Sequence, residues 1–326
     1  MEVVTTKKLH LFAGRTNTEL SVEVAEALGI SLTEPGLNDF ASGEMHCKFS
    51  ESVRGSDVFI LQGHGEHGDR SINDALMEQL IMVDAAKRAS AKRITAVMPF
   101  YGYSRQDRKS EGREPITARL VADMLGAAGT TRLVSIDLHS GQIQGFFKGP
   151  VDHLTAMPVL IKYLQQDQSD LVIVSPDAGR VKVAERYAQH LHADLAIVHK
   201  RRLKGQMNSV VAKEVIGDVE GRRCVLVDDM IDTAGTICQA AELLREKGAS
   251  SVIAVATHGI FSGPAIDRLK NSVLDKVVVT NSLPMPSEKR LDRIEVLSVA
   301  NILATAIQAV FKDTSVSTIF DGENQT

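Results

Sequence analysis

The stretch Cys-Val-Leu-Val-Asp-Asp-Met-Ile-Asp-Thr-Ala-Gly-Thr-Ile, residues 224 to 237, moves from strand to helix through a loop of small and acidic residues. Its first part, Cys224 to Asp228, is an apolar, β-prone run closed by an acid, the pattern of a strand buried on both faces. Asp232, Thr233, Ala234, Gly235 and Thr236 come next and open a helical pattern that runs to Lys247. Where side chains are small, the N–H groups at a helix start close around an anion, and the helix dipole favours its charge. Asp228 and Asp229 beside such a cradle would repel a phosphate, so their natural partners are sugar hydroxyls or a group bridged by a cation. One loop for phosphate and ribose together accounts for both features. The plainer alternative is a strand-to-helix turn capped by Asp and Thr.

Outward from this unit, short apolar strands alternate with helical patterns, which predicts an α/β fold with largely parallel sheets. In the first half strands are expected at 57–61, 93–100 and 132–136, with helices near 72–89 and 116–128. In the second half strands are expected at 171–175, 195–199, 208–216, 224–228 and 251–257, with helices near 181–191 and 236–247. Both halves run strand, polar loop, helix, strand, basic segment and Asp-rich loop, which suggests two similar domains. Gly149-Pro150 punctuates the boundary. Residues 296–311 place Val299, Ile302, Leu303, Ala306, Ile307 and Val310 at helical spacing, an amphipathic helix rather than a membrane span, expected to pack back on the first domain.

The chain has 326 residues, with 37 Lys and Arg against 41 Asp and Glu, a net charge of −4. That balance excludes a generally basic surface and with it a nucleic-acid partner. The charges are segregated. Four of the six residues from His199 to Lys204 are basic, and three of the five from Asp228 to Asp232 are acidic. Such parts suit a small polyanion bound with Mg²⁺. Cys47, Cys224 and Cys238 are too few and too scattered for a disulfide framework or a zinc site, and with no leader or membrane span apparent the expected compartment is the cytoplasm. Gly63-His-Gly65-Glu-His-Gly68 satisfies the dinucleotide-loop spacing, but the next strand ends without an acid for a ribose hydroxyl, so it reads as a glycine-rich turn. No Walker A pattern is present.

The 224–237 motif resembles the 5-phosphoribosyl 1-diphosphate loop of the type I phosphoribosyltransferase fold. Ser-Pro-Asp-Ala-Gly-Arg at 175–180 resembles the diphosphate loop of that fold. Ile136 to Phe147 with its Asp-Leu-His, the Tyr-Ser-Arg-Gln-Asp-Arg-Lys at 103–109, His199 to Arg202 and Thr257 to Ala265 resemble segments of the ribose-phosphate pyrophosphokinases. From about Leu9 to Phe320 the chain is similar to class I of that family. The resemblance implies two domains of the phosphoribosyltransferase type, each a mostly parallel sheet flanked by helices. Residues 7–150, completed by about 305–320, would hold the ATP and regulatory segments, and 151–304 the ribose 5-phosphate and diphosphate loops.

It also implies an activity: the 1-hydroxyl of ribose 5-phosphate attacks the β-phosphorus of ATP, the diphosphoryl group moves, and AMP leaves, with Mg²⁺ as cofactor. Asp228, Asp229, Asp232, Thr233, Ala234, Gly235 and Thr236 would hold ribose 5-phosphate. His139 and Asp177 would contact the metal, and Lys200 and Arg202, on a lid with Gly205 available to flex, would be catalytic. On composition alone the lid reads as a solvated loop. Arg105, Gln106 and Asp107 would contact ATP, and Phe40, Ser42 and Glu44 would reach the adenine of a neighbouring subunit, Ser42 standing where many relatives have Asp or Asn. By the same resemblance phosphate activates and ADP inhibits through Ser52, Arg54, Ser315 and Ser317, and the assembly is a homo-oligomer, a hexamer. Two alternatives stay open: a phosphoribosyltransferase, and a non-catalytic regulatory homologue.

Overall fold

Runs of Val, Ile, Leu and Phe too short for helices form two sheets, and the helical patterns between them cover the sheet faces. A computed structural model describes residues 7–167, 169–202 and 211–320. The chain divides into one unit of Met1–Thr155, Ser282–Pro284 and Ser298–Thr326, and a second of Ala156–Asn281 and Met285–Leu297.

The first unit runs β1 (Leu9–Ala13), α1 (Thr18–Leu28), a hairpin of β2 (Leu37–Asp39) and β3 (Met45–Cys47), β4 (Asp57–Leu61), α2 (Ile72–Arg88), β5 (Arg93–Met98), α3 (Thr117–Ala128), β6 (Arg132–Ile136) and β7 (Val151–Leu154). Its sheet has the order β1-β4-β5-β6-β7, parallel throughout. Every residue of β4 is buried, as a strand covered on both faces requires. The β2–β3 hairpin forms a separate two-stranded sheet. Helix α2 starts in a capping box, with Ser71 and Asp74 each accepting from the other's backbone N–H. The turn at Gly149-Pro150 leads into β7, which pairs with β6, so the division between the units falls after Thr155.

The second unit runs α4 (Met157–Leu164), β8 (Leu171–Ser175), α5 (Val181–Leu191), β9 (Asp194–Arg202), β10 (Val211–Ile216), β11 (Arg223–Ile231), α6 (Gly235–Glu246), β12 (Ser251–Gly259), α7 (Ala265–Lys270), β13 (Lys276–Thr280) and β14 (Ile294–Leu297). The sheet order is β10-β9-β8-β11-β12-β13-β14, parallel except for the antiparallel β9–β10 pair. From β8 the chain moves outward to β9, whereas from β11 it moves the other way to β12. The order therefore reverses between β8 and β11, and the crevice beyond the carboxyl ends of those two strands is where open α/β sheets bind ligands.

The expected helix at 296–311 begins later, because Ile294–Leu297 extends the sheet beside β13. Helix α8 (Ala300–Phe311) then returns to the first unit and lies against α1. Leu303, Ala306, Ile307 and Val310 are buried there, as are Leu20, Val24 and Ala25 of α1.

Candidate active site

Both loops at the reversal point belong to the second unit. After β8, Ser175 donates its hydroxyl to the Asp177 carbonyl at 2.7 Å, and the Asp177 Oδ1 accepts from the Gly179 N–H at 2.8 Å. The turn so formed presents Arg180 to the end of β11. Its Nε lies 3.2 Å from Asp228 Oδ1 and its Nη2 2.6 Å from Asp229 Oδ2. Burial, together with the adjoining Asp229 carboxylate, pushes the Asp228 carboxyl above the usual carboxylate range, while the Arg180 guanidinium pulls it back. The two acids thus share one guanidinium, which restrains both. Strand β11 runs to Ile231, beyond the expected end at Asp228, so both side chains are set by regular strand geometry.

The loop beyond is braced from the segment at 257–265. Ile260 and Phe261 donate N–H to the Ile231 carbonyl at 3.0 and 3.1 Å, Ser262 N–H reaches the Asp232 carbonyl at 3.1 Å, and the Ser262 hydroxyl donates to the Asp232 carboxylate. Arg268 Nη1 donates to the Thr233 carbonyl at 2.9 Å. Ala234 has φ +59, a left-handed conformation that a residue with a Cβ adopts at a cost. Helix α6 opens at Ala234, which has no polar side chain with which to cap it. The first-turn N–H groups, including those of Gly235 and Thr236, lie at an anion-favouring helix start that follows the strand carrying Asp228 and Asp229.

Lys200 and Arg202 fall on β9, which continues past the expected end at His199. Their backbones are in register with Lys213 and Val211 of β10. This makes the basic segment one arm of a two-stranded extension, while the side chains of Lys200 and Arg202, and Gly205, lie outside the described residues.

In the first unit, Arg105 and Gln106 are exposed after β5. Gln106 is held by its N–H to the Tyr103 carbonyl at 2.9 Å, and its Oε1 accepts from the Thr117 hydroxyl at 2.6 Å. Asp107 is buried, its Oδ2 accepting from Gln142 Nε2 at 2.6 Å. It thereby ties this segment to the loop carrying His139. That loop is fixed by the Leu138 N–H, which donates to His153 Nε2 at 2.8 Å.

Phe40, which composition alone would place in a core, stands 54% exposed at the β2–β3 tip. Across that tip the Phe40 N–H donates to the Glu44 carbonyl and the Ser42 hydroxyl to Glu44 Oε2, at 2.8 and 2.9 Å. Ser52, Arg54, Ser315 and Ser317 are exposed on the first unit, the last two hydroxyls 2.7 Å apart.

The glycine-rich motif is a packed turn. A Cβ on Gly65 would meet Leu283 at 2.4 Å. Between the glycines His64 is fully buried, accepting the Gly102 N–H on Nδ1 at 3.1 Å, so its Nε2 donates to Gln79 at 2.8 Å. Burial lowers its pKa to about 4, and the ring is neutral.

Magnesium takes oxygen ligands, keeps several waters and is commonly held by one or two carboxylates plus substrate phosphates. Asp177 at its strand end and the Asp228–Asp229 pair suit that chemistry. Among the described residues no group of three or more His, Cys, Asp or Glu is placed to hold a metal ion. No helix among them is long and apolar enough to cross a membrane.

A mostly parallel sheet whose acidic strand end runs into a helix start at the order reversal defines an open α/β protein with an anion-binding crevice. Residues 9–129 match the N-terminal domain of ribose phosphate pyrophosphokinase, and 206–321 the phosphoribosyl synthetase-associated domain. The chain is 55% identical over 317 residues to the ribose-phosphate pyrophosphokinase of Streptomyces avermitilis, covering 97% of each chain. It is 52% identical to that of Mycobacterium tuberculosis over 320 residues, again 97% of each. The crystal structure of phosphoribosylpyrophosphate synthetase from Mycobacterium smegmatis superposes with a TM-score of 0.88 at 52% identity, over 94% of this chain and 100% of that one. The chain belongs to the ribose-phosphate pyrophosphokinase family.

Proposed function

We propose that this protein is a ribose-phosphate diphosphokinase, which moves the β,γ-diphosphoryl group of ATP to the 1-hydroxyl of ribose 5-phosphate. The O1–Pβ bond forms, the bond from Pβ to the α,β-bridging oxygen breaks, and the products are 5-phosphoribosyl 1-diphosphate, AMP and the hydroxyl proton. The product serves nucleotide biosynthesis. The observation that carries this reading is the β11–α6 junction, where two acids held by Arg180 are followed by a helix that starts at Ala234, a residue with no polar side chain. The α6 N–H groups receive the 5-phosphate, and Asp228 and Asp229 accept from the ribose hydroxyls.

Asp177 and His139 are the residues assigned to Mg²⁺, which when bound offsets charge on the transferring phosphates. Lys200 and Arg202 supply cationic donors to the same oxygens. Arg105 and Gln106 hold the nucleotide, Asp107 keeps their segment in place, and Phe40, Ser42 and Glu44 receive adenine. The first unit serves ATP and regulation, and the second serves ribose 5-phosphate. Phosphate and ADP act as effectors through Ser52, Arg54, Ser315 and Ser317, in a cytoplasmic homo-oligomer, a hexamer.

The test is an assay of the purified chain with ATP, Mg²⁺ and ribose 5-phosphate and no nucleobase. Formation of AMP and phosphoribosyl diphosphate is expected. A requirement for a nucleobase would point to a phosphoribosyltransferase, and an inert chain to a regulatory homologue.

A further inference from the structure

We propose that Arg70, delivered by the glycine-rich loop, is a positioning residue for nucleotide binding: with Arg15 it clamps Asp39 and so sets the β2–β3 hairpin that carries Phe40 and Glu44. This rests on the reading of the hairpin tip as an adenine contact. Each strand of the hairpin has three residues, and a two-stranded ribbon of that size has little stability of its own. At its base, Phe49 packs on Phe12 with ring centroids 4.2 Å apart. At the tip end the holding group is Asp39, the last residue of β2 and the immediate neighbour of Phe40.

Asp39 receives two arginines. Arg15 donates from both terminal nitrogens at 2.7 and 3.0 Å, and Arg70 Nη2 donates at 2.5 Å. Arg15 is itself fixed from behind, its Nε and backbone N–H bonding the two Glu78 oxygens at 2.5 and 2.6 Å. Glu78 lies on α2 with its side chain 1% exposed, also accepts from Gln62 Nε2 at 2.9 Å, and has Arg70 Nη1 at 3.9 Å. Two acids and two arginines thus balance. A lone surface ion pair does little, but this network is bidentate and anchored on a buried carboxylate, the arrangement that fixes orientation.

The glycine pattern accounts for how Arg70 arrives. His67 and Arg70 exchange backbone hydrogen bonds of 3.1 and 3.0 Å around Gly68-Asp69, and Gly68 has the positive φ, +59, that a two-residue hairpin turn takes at its first central position. Gly65 lets the same loop lie on Leu283. The spacing that mimics a dinucleotide loop therefore builds a tight turn aimed at Asp39.

Steady-state kinetics of the full-length protein test this with Arg70→Ala, Arg70→Lys, Asp39→Asn, the Arg70→Ala/Asp39→Asn double variant and Phe40→Ala. Arg70→Ala and Asp39→Asn are each expected to raise KM for ATP roughly tenfold, with kcat and KM for ribose 5-phosphate within about twofold, and the double variant to do no more than either single one. Arg70→Lys, which keeps one charged donor, should recover most of the affinity. If Phe40→Ala raises KM for ATP and Arg70→Ala does not, the clamp is overturned and the adenine reading stands. If Phe40→Ala leaves KM for ATP unchanged, the adenine reading fails and the clamp falls with it. A rise in both KM values with a lowered thermal midpoint would reduce the network to a structural role. Asp39→Asn decides the matter from the hairpin side should Arg70→Ala fold poorly.

Discussion

Arg180 joins two loops that are about fifty positions apart in sequence, and its pairing with Asp228 and Asp229 is what lets adjacent carboxylates persist at a strand end. The motif at 224–237 was legible because its parts are consecutive, whereas Arg180 was legible as the end of the 175–180 loop but not as the partner of two acids. Its spatial neighbour comes from a different strand, and no local pattern encodes that. Lys200 is the converse case, legible as a basic residue after a strand. Lys200→Ala should lower kcat about 10²- to 10³-fold with an unchanged thermal midpoint, and near-normal turnover would end its assignment. His64 gives a prediction of opposite character. With its folded pKa depressed to about 4 by burial, its contribution to stability is complete above its ordinary value of about 6.5 and is lost as pH falls towards 4. Urea unfolding should therefore show the gap between wild type and His64→Gln closing by about 3 kcal/mol between pH 7 and pH 4. A gap independent of pH would show that the ring is not held neutral.

Elements were legible where periodicity was strong. The central strands and helices α2, α3, α5 and α6 lie where the pattern placed them, within a few residues at their ends. Strands β1, β2, β3, β7, β13 and β14 and helices α1, α4 and α7 went unread, because short runs take their state from what they pair with. β14 is the plainest example. Ile294–Leu297 adjoins the helical pattern of α8, yet the free edge of β13 recruits it as a strand. Helix α8 depends on the opposite kind of support, a packed stripe against α1. Leu303 is fully buried there, so Leu303→Ala should cost about 3 kcal/mol by the transfer and cavity terms, read as a shift in urea midpoint, while Leu303→Met should cost under about 1.5 kcal/mol. Equal effects would mean that the stripe is loosely packed.

At the scale of the whole molecule, the chain closes its first unit with residues from both ends. Lys7 Nζ lies 2.7 Å from Asp313 Oδ2 and 3.4 Å from Asp57, and Arg93 pairs with Asp57 and Asp313. Hydrogen bonds from Lys7 and Arg93 hold the Asp313 carboxyl down at about 2. A lowered carboxylate pKa contributes stability that is complete above the unfolded value, about 3.8, and is lost as pH falls through about 2. The difference in stability between wild type and Asp313→Asn should accordingly be full at pH 5 and vanish towards pH 2, and a constant difference would refute the pairing. The sequence by itself determined the α/β class, the acidic strand-to-helix loop at 224–237 and the segregation of charge, because each is written in neighbouring residues through side-chain period, turn chemistry and sign. Only the tertiary structure decided that the sheet order reverses between β8 and β11, that Arg180 bridges the paired acids, and that the glycine-rich turn delivers Arg70 to Asp39. Those depend on which strands and loops become neighbours, and that is settled by burying the whole set of apolar faces at once.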